Sequence, residues 1–308
     1  MCCLFGMLDY GGNFTGRQKT ALLSVLAAEC EARGTDATGI AYNSGGSLHV
    51  YKRPVPAHKL NFRIPNDAVA VMGHTRMTTQ GSEKKNYNNH PFLGQVGGKR
   101  FALAHNGVLH NDHILRRSQK LPQTKIQTDS YVAVQLIEKK KALDFDSLKY
   151  MAEHVEGSFT FTVLDEANNW YLVKGDNPMC LLHFPRYSLY LYASTDEILS
   201  KFLGKARLRM GKPVKIKADC GEILKVSPAG GITRAEFDTS SFLSGWPMRY
   251  GFYTGFSYQR RASREQKHLD EVKSVAASFG YTPENIDAIL EQGFTLEDVE
   301  DFLYCGRL

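Results

Sequence analysis

Two of the six cysteines stand at positions 2 and 3, at the start of the chain. A small second residue favours removal of the initiator methionine, which would leave Cys2 with both a thiol and a free α-amino group. An α-amine with a pKa of about 7.7 to 8.0 is partly neutral at pH 7 and can take the proton of a thiol whose pKa is about 8.5. The sequence therefore predicts a nucleophile and its base on one residue. The alternative is that Cys2 and Cys3 are small buried residues of a strand.

Polar motifs that could complete such a site lie downstream of Cys2. They are RGTDATG at 33–39, GHTRMTTQG at 73–81, NNHP at 88–91, AHNG at 104–107 and TDS at 128–130. Each has an ordinary structural explanation, since an arginine after a strand is often a solvated strand end, Asn-Gly a tight turn and Asp129 a helix cap. Considered singly, none of them predicts a function.

Together with Cys2, the five motifs resemble the class II glutamine amidotransferases, N-terminal-nucleophile hydrolases that release ammonia from glutamine. Representative types are the glutaminase domains of glucosamine-6-phosphate synthase and of glutamine phosphoribosylpyrophosphate amidotransferase. The resemblance implies that the Cys2 thiolate attacks the side-chain amide of L-glutamine and forms a γ-glutamyl thioester. Asn106 and Gly107 match the oxyanion hole of the family, in which one donor is a side-chain amide and the other a backbone N–H.

The resemblance also implies how the substrate is recognised. Arg76 matches the residue that binds the α-carboxylate, a task that suits a planar guanidinium. Asp129 matches the acid that pairs with the α-ammonium group. Thr79 and Gln80 occupy positions that contact bound glutamine in the family. These four residues form the predicted glutamine-binding set.

Two further positions match the family, and one departs from it. Arg33 and Asp36 belong to an R-G-x-D element near the active cysteine, to which the resemblance assigns a supporting role. Met77 follows the arginine where glucosamine-6-phosphate synthase has a tryptophan that helps gate an ammonia channel. We therefore expect such gating to differ or to be absent.

Histidines offer a competing interpretation. Five of them lie within forty positions: His74, His90, His105, His110 and His113. The His110-x-x-His113 spacing could share a metal ion, but no cysteine or acidic cluster completes a ligand set. The first three fall within the family motifs as structural residues. We expect no metal and no organic cofactor.

The order of the predicted elements indicates the fold. Apolar and alternating runs predict strands at 2–9, 38–43, 48–52, 68–75, 101–105, 158–164, 169–174, 179–184, 188–193 and 221–226. Helical patterns at 16–33, 128–139 and 145–155 cluster between runs of strands instead of alternating with them. This order predicts an α+β fold with two sheets and the helices outside. The resemblance makes it a four-layer αββα sandwich of N-terminal nucleophile hydrolase type, with two antiparallel sheets and a small C-terminal helical appendage. The long polar stretch at 78–98 is expected to be a functional loop.

Three segments are predicted along the chain. An amidotransferase domain covers 2–235, a linker rich in Gly, Tyr, Phe and Arg covers 236–264, and a small helical segment covers 265–308. Helical patterns in the last segment fall at 265–279, 283–291 and 295–303. The part beyond the domain is too short for a sugar isomerase or phosphoribosyltransferase domain of ordinary size, so the acceptor of the ammonia is expected on a separate synthase subunit.

Composition excludes several classes of partner. The net charge is +6 with both signs interspersed, and the arginines at 260, 261 and 264 are better explained by a solvated linker than by nucleic-acid binding. No apolar run approaches the roughly 18 residues of a membrane helix, and no signal peptide is evident. The cysteines lack metal-finger spacing, which fits a reducing cytoplasm. We expect a cytoplasmic protein that binds neither nucleic acid nor membrane.

Three functions stay open at this point. The first is glutamine hydrolysis that supplies ammonia to a separate synthase subunit; the expected protein partner is that subunit or a second copy of this chain. The second is a free-standing amidohydrolase of glutamine or of a γ-glutamyl compound. The third is a catalytically silent binding or scaffold protein, which retention of Met1 would favour because a blocked amine cannot act as the base.

Overall fold

The structure is a computed structural model that describes residues 2–206, 211–240 and 281–291, together with the single positions 269, 272, 273, 276, 296 and 299. The chain divides into two compact units, Met1–Pro247 and Met248–Leu308. The predicted linker and the predicted helices at 265–279 and 295–303 lie largely outside the described residues. The domain limits given above therefore stay predictions.

Strands and helices of the first unit occur in the following order. The strands are β1 (Cys3–Asp9), β2 (Ala37–Ser44), β3 (Ser47–Arg53), β4 (Ala70–Arg76), β5 (Phe92–Val96), β6 (Lys99–Leu109), β7 (Gly157–Asp165), β8 (Trp170–Lys174), β9 (Cys180–Phe184), β10 (Leu189–Ala193), β11 (Val214–Ile216), β12 (Glu222–Val226) and β13 (Ile232–Glu236). The helices are α1 (Gly16–Glu29), α2 (Asp112–Ser118), α3 (Tyr131–Lys140), α4 (Phe145–His154) and α5 (Asp196–Lys205).

The strands form two antiparallel sheets. One has the order β11-β9-β10-β1-β4-β2-β3 and the other the order β13-β12-β8-β7-β6-β5. Side chains alternate between the two faces of each strand. In β1, Cys3, Phe5 and Met7 join the apolar cluster beneath α1 and α5, whereas Leu4 and Leu8 join the cluster between the two sheets.

The second sheet repeats this arrangement. In β6, Phe101 and Leu103 join the cluster beneath α3 and α4, whereas Ala102 and Ala104 face the first sheet. Helices therefore cover both outer faces, and the layers follow the order helix, sheet, sheet, helix. The predicted αββα sandwich is confirmed. Burying each large apolar side chain of these clusters is worth about 1.5–3 kcal/mol relative to exposure.

Strand register brings three chain segments to one edge of the first sheet. Cys3 pairs with Thr75 across β1 and β4, and Ala37 pairs with Arg76 across β2 and β4. Because neighbouring strands are antiparallel, the starts of β1 and β2 and the end of β4 meet at this edge. Cys2, which precedes β1, lies at this edge together with Arg76, the last residue of β4.

Several elements differ from the sequence prediction. The polar stretch at 78–98 contains the strand β5, and the chain forms α2, α5, β11 and β13 where no element was predicted. In the second unit, the helix α6 (Pro283–Glu291) occurs where the sequence predicts one, and its Ile286 is buried in a small apolar cluster. No helix within the described ranges is long and apolar enough to cross a membrane.

Candidate active site

Cys2 lies immediately before β1, at the edge where β4 ends. Its thiol donates a hydrogen bond to the Met77 carbonyl oxygen, 3.4 Å from Sγ, and its own carbonyl oxygen accepts one from Arg33 Nε at 3.1 Å. Burial raises the pKa of the Cys2 thiol, and the backbone of Met77 and the charge of Arg76 offset part of that rise. Cys3 points to the opposite face and is fully buried beneath the helices. Cys2 is therefore the cysteine of the pair that belongs to this site.

Arg76 ends β4 with a buried guanidinium that is held by neutral acceptors. It donates to Asn89 Oδ1 at 2.7 Å and to the carbonyl oxygens of Gln80 and Gly81 at 2.6 and 3.0 Å. Burial lowers the pKa of Arg76, and the charges of Cys2 and Asp129 are among those that counter this effect. No carboxylate in the described part of the chain lies within ion-pair distance of this cation. A buried cation without an anionic partner is costly, which suits a site that receives an anion.

Asp129 is a buried carboxylate just before α3. Its Oδ2 accepts a hydrogen bond from the Leu109 backbone N–H at 2.7 Å, and its Oδ1 accepts one from Ser130 Oγ at 3.3 Å. The negative charge of Asp129 raises the pKa of Cys2 and acts in the same direction on Arg76. The fold thus brings Asp129 close enough to the predicted nucleophile and cation for its charge to act on both.

Asn106 and Gly107 lie on β6 in the second sheet. Gly107 has φ +140°, and a Cβ at this position would overlap the Ser158 carbonyl oxygen, so glycine is required both by conformation and by space. The Asn106 Nδ2 group is buried and has no hydrogen-bond partner among the described residues. Most buried polar groups are paired, so this donor is available to a ligand bound beside it.

Asp36 and Arg33 hold the segments around the cysteine. Asp36 Oδ2 accepts a hydrogen bond from the Thr78 N–H at 2.7 Å, and the Asp36 N–H donates to the Arg76 carbonyl oxygen at 2.9 Å. Gly34 packs so closely on the backbone after β4 that a Cβ would clash with it. The R-G-x-D element thus connects Cys2, through Arg33, with the turn that follows Arg76.

Thr79 and Gln80 lie on that turn with exposed side chains. No hydrogen bond of either side chain occurs within the described residues, although the Gln80 carbonyl accepts from Arg76. Met77 is 41% exposed beside them. Whether these side chains contact glutamine stays a prediction.

Two residues at the site were not assigned by sequence. Asn89 lies in the quoted NNHP motif, but only the structure shows it bound to Arg76. Lys52 on β3 donates to the carbonyl oxygens of Asn89 and Pro91, and burial lowers its pKa to about 8. Nothing in the sequence around Lys52 signals this contact, because a lysine near the end of an edge strand is usually solvated.

Of the five histidines considered above, His74, His90 and His105 are buried, whereas His110 and His113 are exposed. His74 and His90 have ring centroids 4.2 Å apart, and His74 Nε2 donates to the His105 carbonyl oxygen at 3.0 Å. Burial lowers the pKa of His74 to about 3 and that of His90 well below its usual value, so both are neutral at pH 7. In the described ranges, no three His, Cys, Asp or Glu side chains gather as metal ligands.

Comparison with known proteins finds similarity to glutamine amidotransferase domains. Residues 74–201 match the family described as glutamine amidotransferase domain. The glutamine–fructose-6-phosphate aminotransferase of Listeria monocytogenes is 30% identical over 255 residues, covering 80% of this chain and 41% of that protein. The Bacillus anthracis enzyme of the same name is 28% identical over 248 residues, covering 75% and 40%. The chain thus spans about 40% of the length of these relatives.

A solved structure supports the fold. The glutamine phosphoribosylpyrophosphate amidotransferase of B. subtilis, complexed with ADP and GMP, superimposes with a TM-score of 0.59. The match covers 77% of this chain and 50% of that chain, at 19% sequence identity. At this identity the similarity concerns the fold alone, and it places both chains in one architecture.

Proposed function

Because the chain carries a domain of the class II glutamine amidotransferase family, we propose that it hydrolyses the side-chain amide of L-glutamine through a thioester on Cys2. The observation that supports this most directly is the electrostatic interaction among three groups. The Cys2 thiol, the buried Arg76 cation and the buried Asp129 carboxylate each affect the titration of another member of the set. A thiol beside one fixed cation and one fixed anion suits a zwitterionic amino acid.

The proposed reaction begins with removal of Met1. The α-amine of Cys2 then takes the thiol proton, and the thiolate forms a bond to the amide carbon of glutamine. The carbonyl oxygen becomes an oxyanion that accepts hydrogen bonds from Asn106 Nδ2 and from the Gly107 N–H. The ammonium group returns its proton to the departing nitrogen, which leaves as ammonia. Water then hydrolyses the thioester and releases glutamate.

Burial gives the α-amine a necessary role in this scheme. Because burial raises the pKa of the Cys2 thiol, little thiolate forms at pH 7 without a nearby base. A thiolate generated only when the amine accepts the proton avoids a permanent buried charge. The scheme involves no metal or organic cofactor.

We propose that the ammonia serves an acceptor enzyme, on a separate synthase subunit or on another part of a longer protein. The long relatives named above are aminotransferases, and this chain aligns with about 40% of their length. A cytoplasmic location suits a reactive thiol, and the cysteines at positions 2, 3, 30 and 180 are free thiols. A free-standing amidohydrolase is the second candidate, favoured by Met77 in place of the gating tryptophan.

The test is release of glutamate and ammonia by the full chain and by Cys2→Ala. We expect turnover by the wild type and a loss of at least about a thousandfold in the variant, because the nucleophile itself is removed. Cys220→Ser is the matched control, since Cys220 is the exposed cysteine of the described set. Equal turnover by wild type and Cys2→Ala would refute the proposal.

A further inference from the structure

Asn177 contacts the peptide bond that joins Asn106 to Gly107. Its Nδ2 donates a hydrogen bond to the Asn106 carbonyl oxygen at 3.1 Å, although the two residues are 71 positions apart. The same Nδ2 would lie 2.7 Å from a Cβ placed on Gly107. The amide of Asn177 therefore packs against both residues that share this peptide unit.

A peptide unit is planar and trans, so its C=O and N–H groups point in opposite directions. The Asn106 carbonyl and the Gly107 N–H belong to one such plane. A hydrogen bond that fixes the carbonyl consequently fixes the direction of the N–H. Fixation matters here because Gly107, at φ +140°, lacks the restraint that a side chain imposes on the backbone.

Asn177 is itself held by its main chain. Its carbonyl oxygen accepts a hydrogen bond from Thr160 Oγ1 at 2.8 Å, and its N–H donates to the Phe159 carbonyl oxygen at 3.4 Å. The preceding Asp176 accepts from the Phe159 N–H at 2.8 Å. The segment after β8 thus continues along β7, and its position does not depend on the Asn177 side chain.

We propose that Asn177 is a positioning residue that aims the Gly107 N–H at the oxyanion of the reaction. The inference rests on the proposed function, because it concerns the oxyanion hole of that reaction. The hydrogen bond from the Gly107 N–H stabilises the transition state more than the ground state, since the negative oxygen forms only during attack. Substitution of Asn177 should therefore lower kcat and leave the affinity for glutamine nearly unchanged.

The variants are Asn177→Ala and Asn177→Asp, each compared with the wild-type full chain. Alanine removes the donor, and aspartate keeps the shape while replacing the donor with an acceptor. Loss of a whole oxyanion donor typically costs about 10²–10³ in kcat, so a misdirected donor should cost at least about tenfold. KM for glutamine and Kd for glutamate should stay within about threefold of wild type.

Asn43→Ala is the matched control. Asn43 Nδ2 also donates to a main-chain carbonyl oxygen, that of Asp165 at 2.7 Å, but at the other end of β7. We expect kcat within twofold of wild type for this control. Unchanged kcat in both Asn177 variants, or a rise in KM that accounts for the whole effect, would overturn the inference and leave the proposed function intact. A wild-type chain without glutamine turnover would instead overturn the proposed function and, with it, this inference.

Discussion

Replacing Asn106 with alanine should abolish most of the activity and spare the stability. The Asn106 Nδ2 group is buried without a partner in the described residues, so truncation breaks no hydrogen bond of that group. A buried donor without a partner costs about 1–3 kcal/mol, which alanine relieves. The small cavity left by truncation costs a comparable amount. We therefore expect the free energy of unfolding to change by less than about 1 kcal/mol.

The effect on catalysis should be much larger. Removal of one oxyanion donor typically raises the activation barrier by about 2.7–4 kcal/mol, equivalent to about 10²–10³ in kcat. KM should change by less than about threefold, because the donor is used only when the oxygen becomes negative.

Two measurements on the same preparation test this separation. Urea denaturation gives the free energy of unfolding, and glutamate formation at several glutamine concentrations gives kcat and KM. A kcat within threefold of wild type would refute the assignment of Asn106 to the oxyanion hole. Destabilisation by more than about 2 kcal/mol would show that the amide has a structural partner, and the reasoning from its unpaired state would fail.

Three further predictions follow from the same geometry. Gly107→Ala should lower the free energy of unfolding by more than about 2 kcal/mol in urea denaturation, because its Cβ would overlap the Ser158 carbonyl oxygen, whereas Gly204→Ala, with open space around the Cβ, should be neutral or stabilising. Arg76→Lys should raise KM for glutamine by at least about tenfold in steady-state assays, since an ammonium cannot bind a carboxylate in the bidentate manner of a guanidinium; an unchanged KM would contradict the role of Arg76. His74 has a pKa of about 3 in the folded protein, below its unfolded value, so its contribution to stability is present above about pH 6.5 and is lost as the pH falls toward 3. Between pH 7 and pH 5 this loss amounts to about 2 kcal/mol, and His74→Gln should reduce the pH dependence of the free energy of unfolding, measured in urea, by that amount. An identical pH dependence in both proteins would refute this prediction.

The fold was largely predictable because its sheets bury both faces. Strands such as β1 and β4 read as apolar runs, since one face packs on helices and the other on the second sheet. The missed strands β11 and β13 lie at the sheet edges and are mostly exposed. Their residues carry little hydrophobic pattern, and pairing with a neighbouring strand determines their conformation.

Helix α5 could have been predicted. Thr195 caps it by accepting a hydrogen bond from the Ile198 N–H at 3.3 Å, and Asp196 and Glu197 lie in its first turn. Both features are standard signals of a helix start. The omission therefore came from an overlooked local pattern, unlike the omission of the edge strands.

The residue types at the site could be predicted from the sequence, but most of the contacts between them could not. The motifs around Arg76, Asn106 and Asp129 are visible in the sequence, whereas the contacts of Asn89 and Asn177 arise only in the fold. Asn177 donates a hydrogen bond to a main-chain carbonyl oxygen 71 residues away. Every residue has such a carbonyl, so the sequence does not show which one is the partner. Residues that position a site through the backbone are for this reason the hardest to find in one sequence.

The central claim is that Cys2, once exposed as the first residue, is the nucleophile of a glutamine-binding site. The most direct measurement is the intact mass of the purified protein before and after reaction with a diazo-ketone analogue of glutamine, followed by peptide mapping. The account predicts a chain that lacks Met1 and gains one adduct, located on Cys2, with labelling prevented by excess glutamine and strongly slowed by Arg76→Lys. A chain that keeps Met1 and shows no adduct on Cys2, or labelling that glutamine does not prevent, would contradict it.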